Sequence, residues 1–295
     1  MAKIEELLKD YLDYLEIEKN RSPKTRQNYE RYLKAFFASE GVKSVGDLTL
    51  ENIKNFRLAL ARKEGLKKVT QNYYVIAIRN FLKYLIKKDI DVVAPDKIEL
   101  PKVPSRQIEL VEVEELDRLL ASPKLDSLRG LRDKAILELL FSTGLRLAEL
   151  CKLDRYLNFD RGEVTVRGKG EKLRLVFVSE TAQDAIKNYL DKRPDTDNKL
   201  FISLDKKGKV IGPITPRSVQ RMVSFYSRKA GITTKLTPHG LRHLFATDLL
   251  RNGADIRSVQ ELLGHASIST TQIYTHVTNK HLKEIHKTFH DRKKK

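Results

Sequence analysis

Three prolines, Pro95, Pro101 and Pro104, fall within ten positions of the stretch DIDVVAPDKIELPKVPSRQ, and no helical period survives there. Proline lacks the amide donor and clashes with the preceding turn, so no helix can run through this segment. The stretch reads as an extended linker, and the chain on either side of it folds as a separate domain. The expected divisions are 1–94, a linker over 95–108, a second domain over 109–278, and a C-terminal helix with a basic tail over 279–295.

Before the linker, four segments carry apolar residues at helical spacing. Ile4, Leu7, Leu8, Tyr11, Leu12 and Leu15 line the first, and Tyr29, Tyr32, Leu33 and Phe36 the second. The second also begins with Ser22 as cap and Pro23 at the first helical position, where a missing amide proton costs nothing. Thr49 can cap a third, with Ile53, Phe56 and Leu60, and a fourth runs from about Thr70 through Ile76, Phe81 and Leu85. The first domain is therefore expected to be a four-helix bundle.

The second half mixes helices with a small amount of strand. VEVEELDRLLAS and LRGLRDKAILELLFSTG read as helices, the latter stopped by Gly144. EVTVRGKGEKLRLVFVS alternates Val164 and Val166 with, beyond a Gly168-Lys169-Gly170 turn, Leu173, Leu175 and Phe177, which predicts a hairpin. KLFIS adds a candidate strand. Thr215-Pro216, Thr237-Pro238 and Asp255 open later helices that end near Gly231, Gly253 and Gly264. The expected fold class is mainly α, with a small antiparallel β-sheet in the C-terminal domain.

Composition narrows the function. The 57 Lys+Arg against 39 Asp+Glu give a net charge of +18, which favours a polyanionic partner. The excess is uneven: 20 basic and 15 acidic residues (+5) in 1–100 leave 37 and 24 (+13) for the rest. No apolar run approaches the roughly 20 residues of a membrane span, and MAKIEELLKDYLDYLEIEKN has no secretory-signal pattern, so a cytoplasmic location is expected. The single cysteine, Cys151, provides neither a disulfide framework nor a multi-cysteine zinc site; within LAELCKL it reads as a packed helix residue.

Four stretches hold groups suited to phosphate chemistry. TGLRLAEL sets Arg146 two residues after a helix-stopping glycine; RGKGEK puts Lys169 between glycines; TPHGLRHLFAT places His239 in the first turn of a helix with Arg242 on the same face; LGHASISTTQIYTHV carries His265 and Tyr274. A helix N-terminus attracts anions and an arginine adds a forked donor matched to phosphate oxygens. Singly, each has a plainer reading: a surface arginine, an ordinary turn, or one packing tyrosine among 11. His239 and His243, four apart, could also suggest zinc, but no acidic residue or cysteine nearby completes a ligand set.

Taken in order, Arg146, Lys169, His239, Arg242, His265 and Tyr274 resemble the active-site series of the tyrosine site-specific recombinases. The resemblance spans nearly the whole chain, from RSPKTRQNYERYLKAF onward, and is greatest to the Xer-type branch, its archaeal members in particular. It implies an N-terminal SAM-like, core-binding domain and a catalytic domain. It also implies that Tyr274 attacks the scissile phosphate, leaving a 3′-phosphotyrosyl link and a free 5′-hydroxyl. Arg146 and Arg242 would hold the nonbridging oxygens, Lys169 would protonate the leaving oxygen, His239 would move protons on the tyrosine side, and His265 would donate to the phosphate. Glu149, three residues after Arg146, is expected to orient it.

This scheme calls for no metal ion, nucleotide or other cofactor. The implied partners are double-stranded DNA with a specific site and three further copies of the chain, four protomers on two sites passing through a Holliday junction. HLKEIHKTFH, with Leu282, Ile285 and Phe289 as an apolar stripe, is expected to be the helix exchanged between neighbours in the DNA complex, while in the free protein docking on its own domain is an equal reading. The expected biological role is resolution of chromosome dimers at a dif-like site. Two alternatives are a type IB topoisomerase, which reseals its own strand, and a DNA-binding protein without catalysis.

Overall fold

In the computed structural model, which describes residues 3–101, 111–168 and 173–264, the chain divides into two units, Met1–Arg106 and Gln107–Lys295. The first unit is built from α1 (Ile4–Ile17), α2 (Pro23–Glu40), α3 (Leu50–Arg62) and α4 (Lys68–Lys87). Side chains start the middle helices: Ser22 Oγ accepts from the Thr25 amide at 3.3 Å, and Thr49 Oγ1 from the Asn52 amide at 3.1 Å. Gly41 ends α2 at φ +64°, a left-handed turn that glycine enters without strain.

All six apolar residues read along α1 are buried, and α2 packs against α1, α3 and α4. Leu33, Phe36, Phe81, Leu82 and Leu85 are wholly enclosed between these helices. Each such side chain contributes roughly 1.5–3 kcal/mol through apolar burial. Helix α4 starts before Thr70, and its inward face runs through Val75, Ile78, Phe81, Leu82 and Leu85, with Ile76 only half-buried. The first part of the expected linker also belongs to this unit. Pro95–Lys97 forms a 3-10 turn against α4, and Ile98 is buried in the same core. Prolines exclude a long helix from this segment without excluding packing.

The second unit centres on α6 (Leu128–Thr143), which is buried over most of its surface; Ala135, Ile136, Leu137, Leu139 and Leu140 are all enclosed, together with the charged Arg132, Asp133 and Glu138. Around it lie α5 (Val113–Ala121), α8 (Glu180–Asp191) and α10 (Pro238–Arg251), while α9 (Pro216–Lys229) packs on α5 and α10. The polar groups that α6 buries are paired: Arg132 Nη2 meets Asp133 Oδ1 at 2.6 Å, Tyr226 Oη donates to Asp133 Oδ2 at 3.1 Å, and Lys134 meets Glu138 at 2.6 Å. Buried charges survive in this way, through partners that replace water. Burial pushes the Asp133 carboxyl above its ordinary range, opposed by Arg132 and Tyr226. Among the described residues, no helix is long and apolar enough to cross a membrane.

Among the described residues the strands form two separate antiparallel pairs, β1 (Glu163–Arg167) with β2 (Leu173–Phe177), and β3 (Ile202–Leu204) with β4 (Val210–Pro213). The register of the first pair corrects the reading of its apolar pattern. Val164 lies opposite Val176 and Val166 opposite Arg174, so the inward face is Val164, Val166, Val176 and the Arg174 side chain. Leu173, Leu175 and Phe177 point outward and are 65%, 44% and 55% exposed. A strand's two faces differ by one residue, and alternation alone does not say which face meets the core. The expected helix at Leu282, Ile285 and Phe289 lies outside the described residues.

Candidate active site

The arginines singled out from sequence are brought together by the C-terminal ends of two helices. Helix α6 stops at Gly144 with φ +57°, and α11 (Ile256–Leu263), capped at its start by Asp255, stops at Gly264 with φ +62°. The last carbonyls of a helix lack intrahelical partners and carry partial negative charge. Arg242, on α10 and 2% exposed, sends Nη1 to the Gly144 carbonyl and Nη2 to the Leu263 carbonyl, both at 2.5 Å. Arg146 sends Nη2 to the next carbonyl, Gly264, at 2.7 Å. Adjacent carbonyls of one helix end thus hold both guanidiniums.

Arg146 itself caps α7 (Leu147–Leu150) and is fixed a second time by Glu149. The carboxylate accepts from the Arg146 amide at 2.9 Å through Oε2 and from Arg146 Nη1 at 2.9 Å through Oε1. Glu149 is buried at 5% side-chain exposure whereas Arg146 keeps 35%, so the pair is anchored inside and offers its guanidinium outward. Arg174, which sequence reasoning missed, completes the cluster: its Nη2 meets Glu149 Oε2 at 2.7 Å. The signal that could have found it was an arginine at an even spacing from Val176 on a strand whose odd positions are all large and apolar. Three guanidiniums against one carboxylate leave an excess of two positive charges (3 − 1) in this group, a setting for an anion.

Both helix stops admit close neighbours because they are glycines. A Cβ on Gly144 would lie 2.4 Å from Phe245 Cδ1, and one on Gly264 would lie 2.8 Å from Arg174 Cδ. Gly144→Ala is expected to lose about 2 kcal/mol or more from the left-handed backbone and the clash together, and to weaken the Arg242 contact at the same carbonyl. Urea denaturation of the full chain measures the first effect. An unchanged unfolding midpoint would show that Phe245 yields freely.

His239 lies exposed in the first turn of α10, where Thr237 Oγ1 accepts from the Gly240 amide at 3.1 Å. Its ring meets that of His243 edge to face at 4.3 Å. Among the described residues no group of three His, Cys, Asp or Glu side chains forms a metal-binding cluster. Lys169, His265 and Tyr274 lie outside the described residues, although β1 and Gly168 lead directly to Lys169 and Gly264 directly to His265. Cys151 is half-buried at the end of α7, and burial pushes its thiol up to about 11, away from nucleophilic use.

Comparison with known proteins agrees with this architecture. Residues 109–281 match the phage integrase family, and residues 8–89 match the phage integrase N-terminal SAM-like domain. A four-helix unit followed by a mostly helical unit with paired arginines thus defines a phage-integrase-family recombinase, and the chain belongs to that family. Tyrosine recombinase XerC of Actinobacillus succinogenes is 38% identical over 296 residues, covering 98% of each chain. Tyrosine recombinase XerD of Listeria innocua is 38% identical over 301 residues, covering 97% of this chain and 99% of that one. The crystal structure of XerA recombinase aligns at 33% identity with a TM-score of 0.54, over 98% of this chain and 99% of that one. Within the family, the chain is a Xer-type tyrosine recombinase.

Proposed function

We propose that this recombinase binds double-stranded DNA at a specific site and cleaves it with Tyr274, forming a 3′-phosphotyrosyl intermediate. The observation that carries this reading is the fixing of Arg146 and Arg242 on the adjacent carbonyls of Gly264 and Leu263, immediately before His265 and the segment that bears Tyr274. Backbone carbonyls hold both guanidiniums at one helix end, and fixed cationic donors of this kind stabilise the negative charge that develops on a phosphate under attack. Phosphotyrosine keeps the energy of the broken diester, so a free 5′-hydroxyl can displace it and the step needs no external energy source.

In this scheme Lys169 donates the proton to the leaving 5′-oxygen, His239 takes up the tyrosine proton, and His265 donates to the phosphate. Four protomers on two sites exchange strands through a Holliday junction. The biological role is resolution of chromosome dimers in the cytoplasm at a dif-like site. A related structure, that of XerH bound to a palindromic difH substrate, supports the DNA partner; it covers 96% of this chain at 22% identity with a TM-score of 0.72.

The test is covalent capture: the protein is incubated with sheared chromosomal DNA, adducts are recovered under denaturing conditions, and the attached fragments are sequenced. One recurrent, roughly palindromic site is expected, and two-site DNA should give a four-way junction. Adducts scattered over many sequences, with plasmid relaxation and no junction, would instead favour the topoisomerase reading. DNA binding with no adduct would favour a protein without catalysis.

A further inference from the structure

We propose that Arg174 is a positioning residue of the recombinase site, acting through Glu149 on Arg146. The proposal rests on the reading that Arg146 engages the scissile phosphate. Two contacts fix the Arg146 guanidinium, one to Glu149 and one to the Gly264 carbonyl, and Arg174 borders both. Its Nη2 lies 2.7 Å from Glu149 Oε2, the same oxygen that accepts the Arg146 amide. Its Cδ and Nε stand against Gly264 so closely that a Cβ there would meet them at 2.8 and 3.0 Å.

This placement decides how Glu149 divides its charge. A carboxylate paired with Arg146 alone would compete with phosphate for that guanidinium. Held from the other side by Arg174, it still orients Arg146 while sharing its negative charge between two cations. Stability alone does not account for the arrangement. The Arg174 side chain is 12% exposed, yet its Nε and Nη1 are buried and find no acceptor among the described residues. Burial lowers its pKa from the ordinary arginine value, with Glu149 opposing and Arg146 adding to the fall. A single ion pair compensates poorly for taking a guanidinium out of water, and an apolar side chain of similar length would serve packing as well or better.

The experiment measures single-turnover cleavage of a nicked duplex carrying the captured site, together with DNA affinity and thermal melting of the full chain. Arg174→Met is expected to cleave about thirtyfold more slowly, since small displacements of a positioned group cost up to about a hundredfold, while melting and affinity stay near those of the parent. Arg174→Lys, which keeps a cation for Glu149, should recover to within about fivefold. In a Glu149→Gln background, Arg174→Met should add less than about threefold, because residues acting through one contact are not additive. If Arg174→Met melts early, Arg174→Gln repeats the same comparisons. Cleavage by the neutral variants within threefold of the parent, or full additivity with Glu149→Gln, overturns the proposal. A different result, Arg146→Ala cleaving as fast as the parent, would instead remove the reading on which it rests.

Discussion

Tyr274→Phe is expected to give no covalent DNA adduct, with single-turnover cleavage reduced at least about a thousandfold and DNA affinity changed less than about threefold. The substitution removes one oxygen. Phosphate contacts, which dominate affinity for duplex DNA, are made by cations that it leaves untouched. A phenol of ordinary pKa about 10 is a weak nucleophile near neutrality, so its attack depends on a proton acceptor and on cations at the phosphate. Three other tyrosines are poorly placed to substitute. Tyr11, Tyr189 and Tyr226 are buried, and burial raises all three hydroxyls, that of Tyr189 to about 12. Should an adduct persist in Tyr274→Phe, the nucleophile must be sought among exposed hydroxyls, of which Tyr156 at 73% exposure is a prominent example. Gel-shift and denaturing-gel assays on the same DNA read affinity and adduct separately.

What could be read from sequence were features that depend on neighbours along the chain. The helices begin at Ser22, Thr49, Thr215, Thr237 and Asp255 because a side-chain oxygen there meets amides two or three residues on, and that contact is local. The α1 stripe was legible because helical geometry alone brings its residues to one face. The order of motifs singles out Arg146 and Arg242 but does not show that they converge. Arg242 meets a carbonyl 98 positions away and another 21 away, a product of packing α10 against α6 and α11. The same limit hid Arg174. Its inward side is set by the β1 partner and the core beneath, whereas the three large apolar residues beside it face solvent. Ile98 shows it again: prolines around it fix what the backbone cannot do, while burial depends on where α4 lies.

Arg242→Lys is expected to lose about a thousandfold in cleavage, although it keeps the charge. The wild-type guanidinium spans two helix ends, one arm on Gly144 and the other on Leu263, at 2% exposure. A lysine ammonium is a compact donor without that fixed fork; satisfying one carbonyl would draw it from the other and from the oxygens of a phosphate. The left-over carbonyl costs about 1–3 kcal/mol when it remains buried and unpaired, so stability should fall as well. Magnitudes separate the two effects. A domain with about 5–15 kcal/mol of stability stays overwhelmingly folded after a loss of about 2 kcal/mol, so misfolding would not reduce cleavage per molecule a thousandfold. The rate of Arg242→Lys, normalised to the folded fraction from urea denaturation, therefore reports on the lost fork. Cleavage within tenfold of the parent after that correction would mean that positive charge alone suffices at this position and that holding the guanidinium between two helix ends serves the fold.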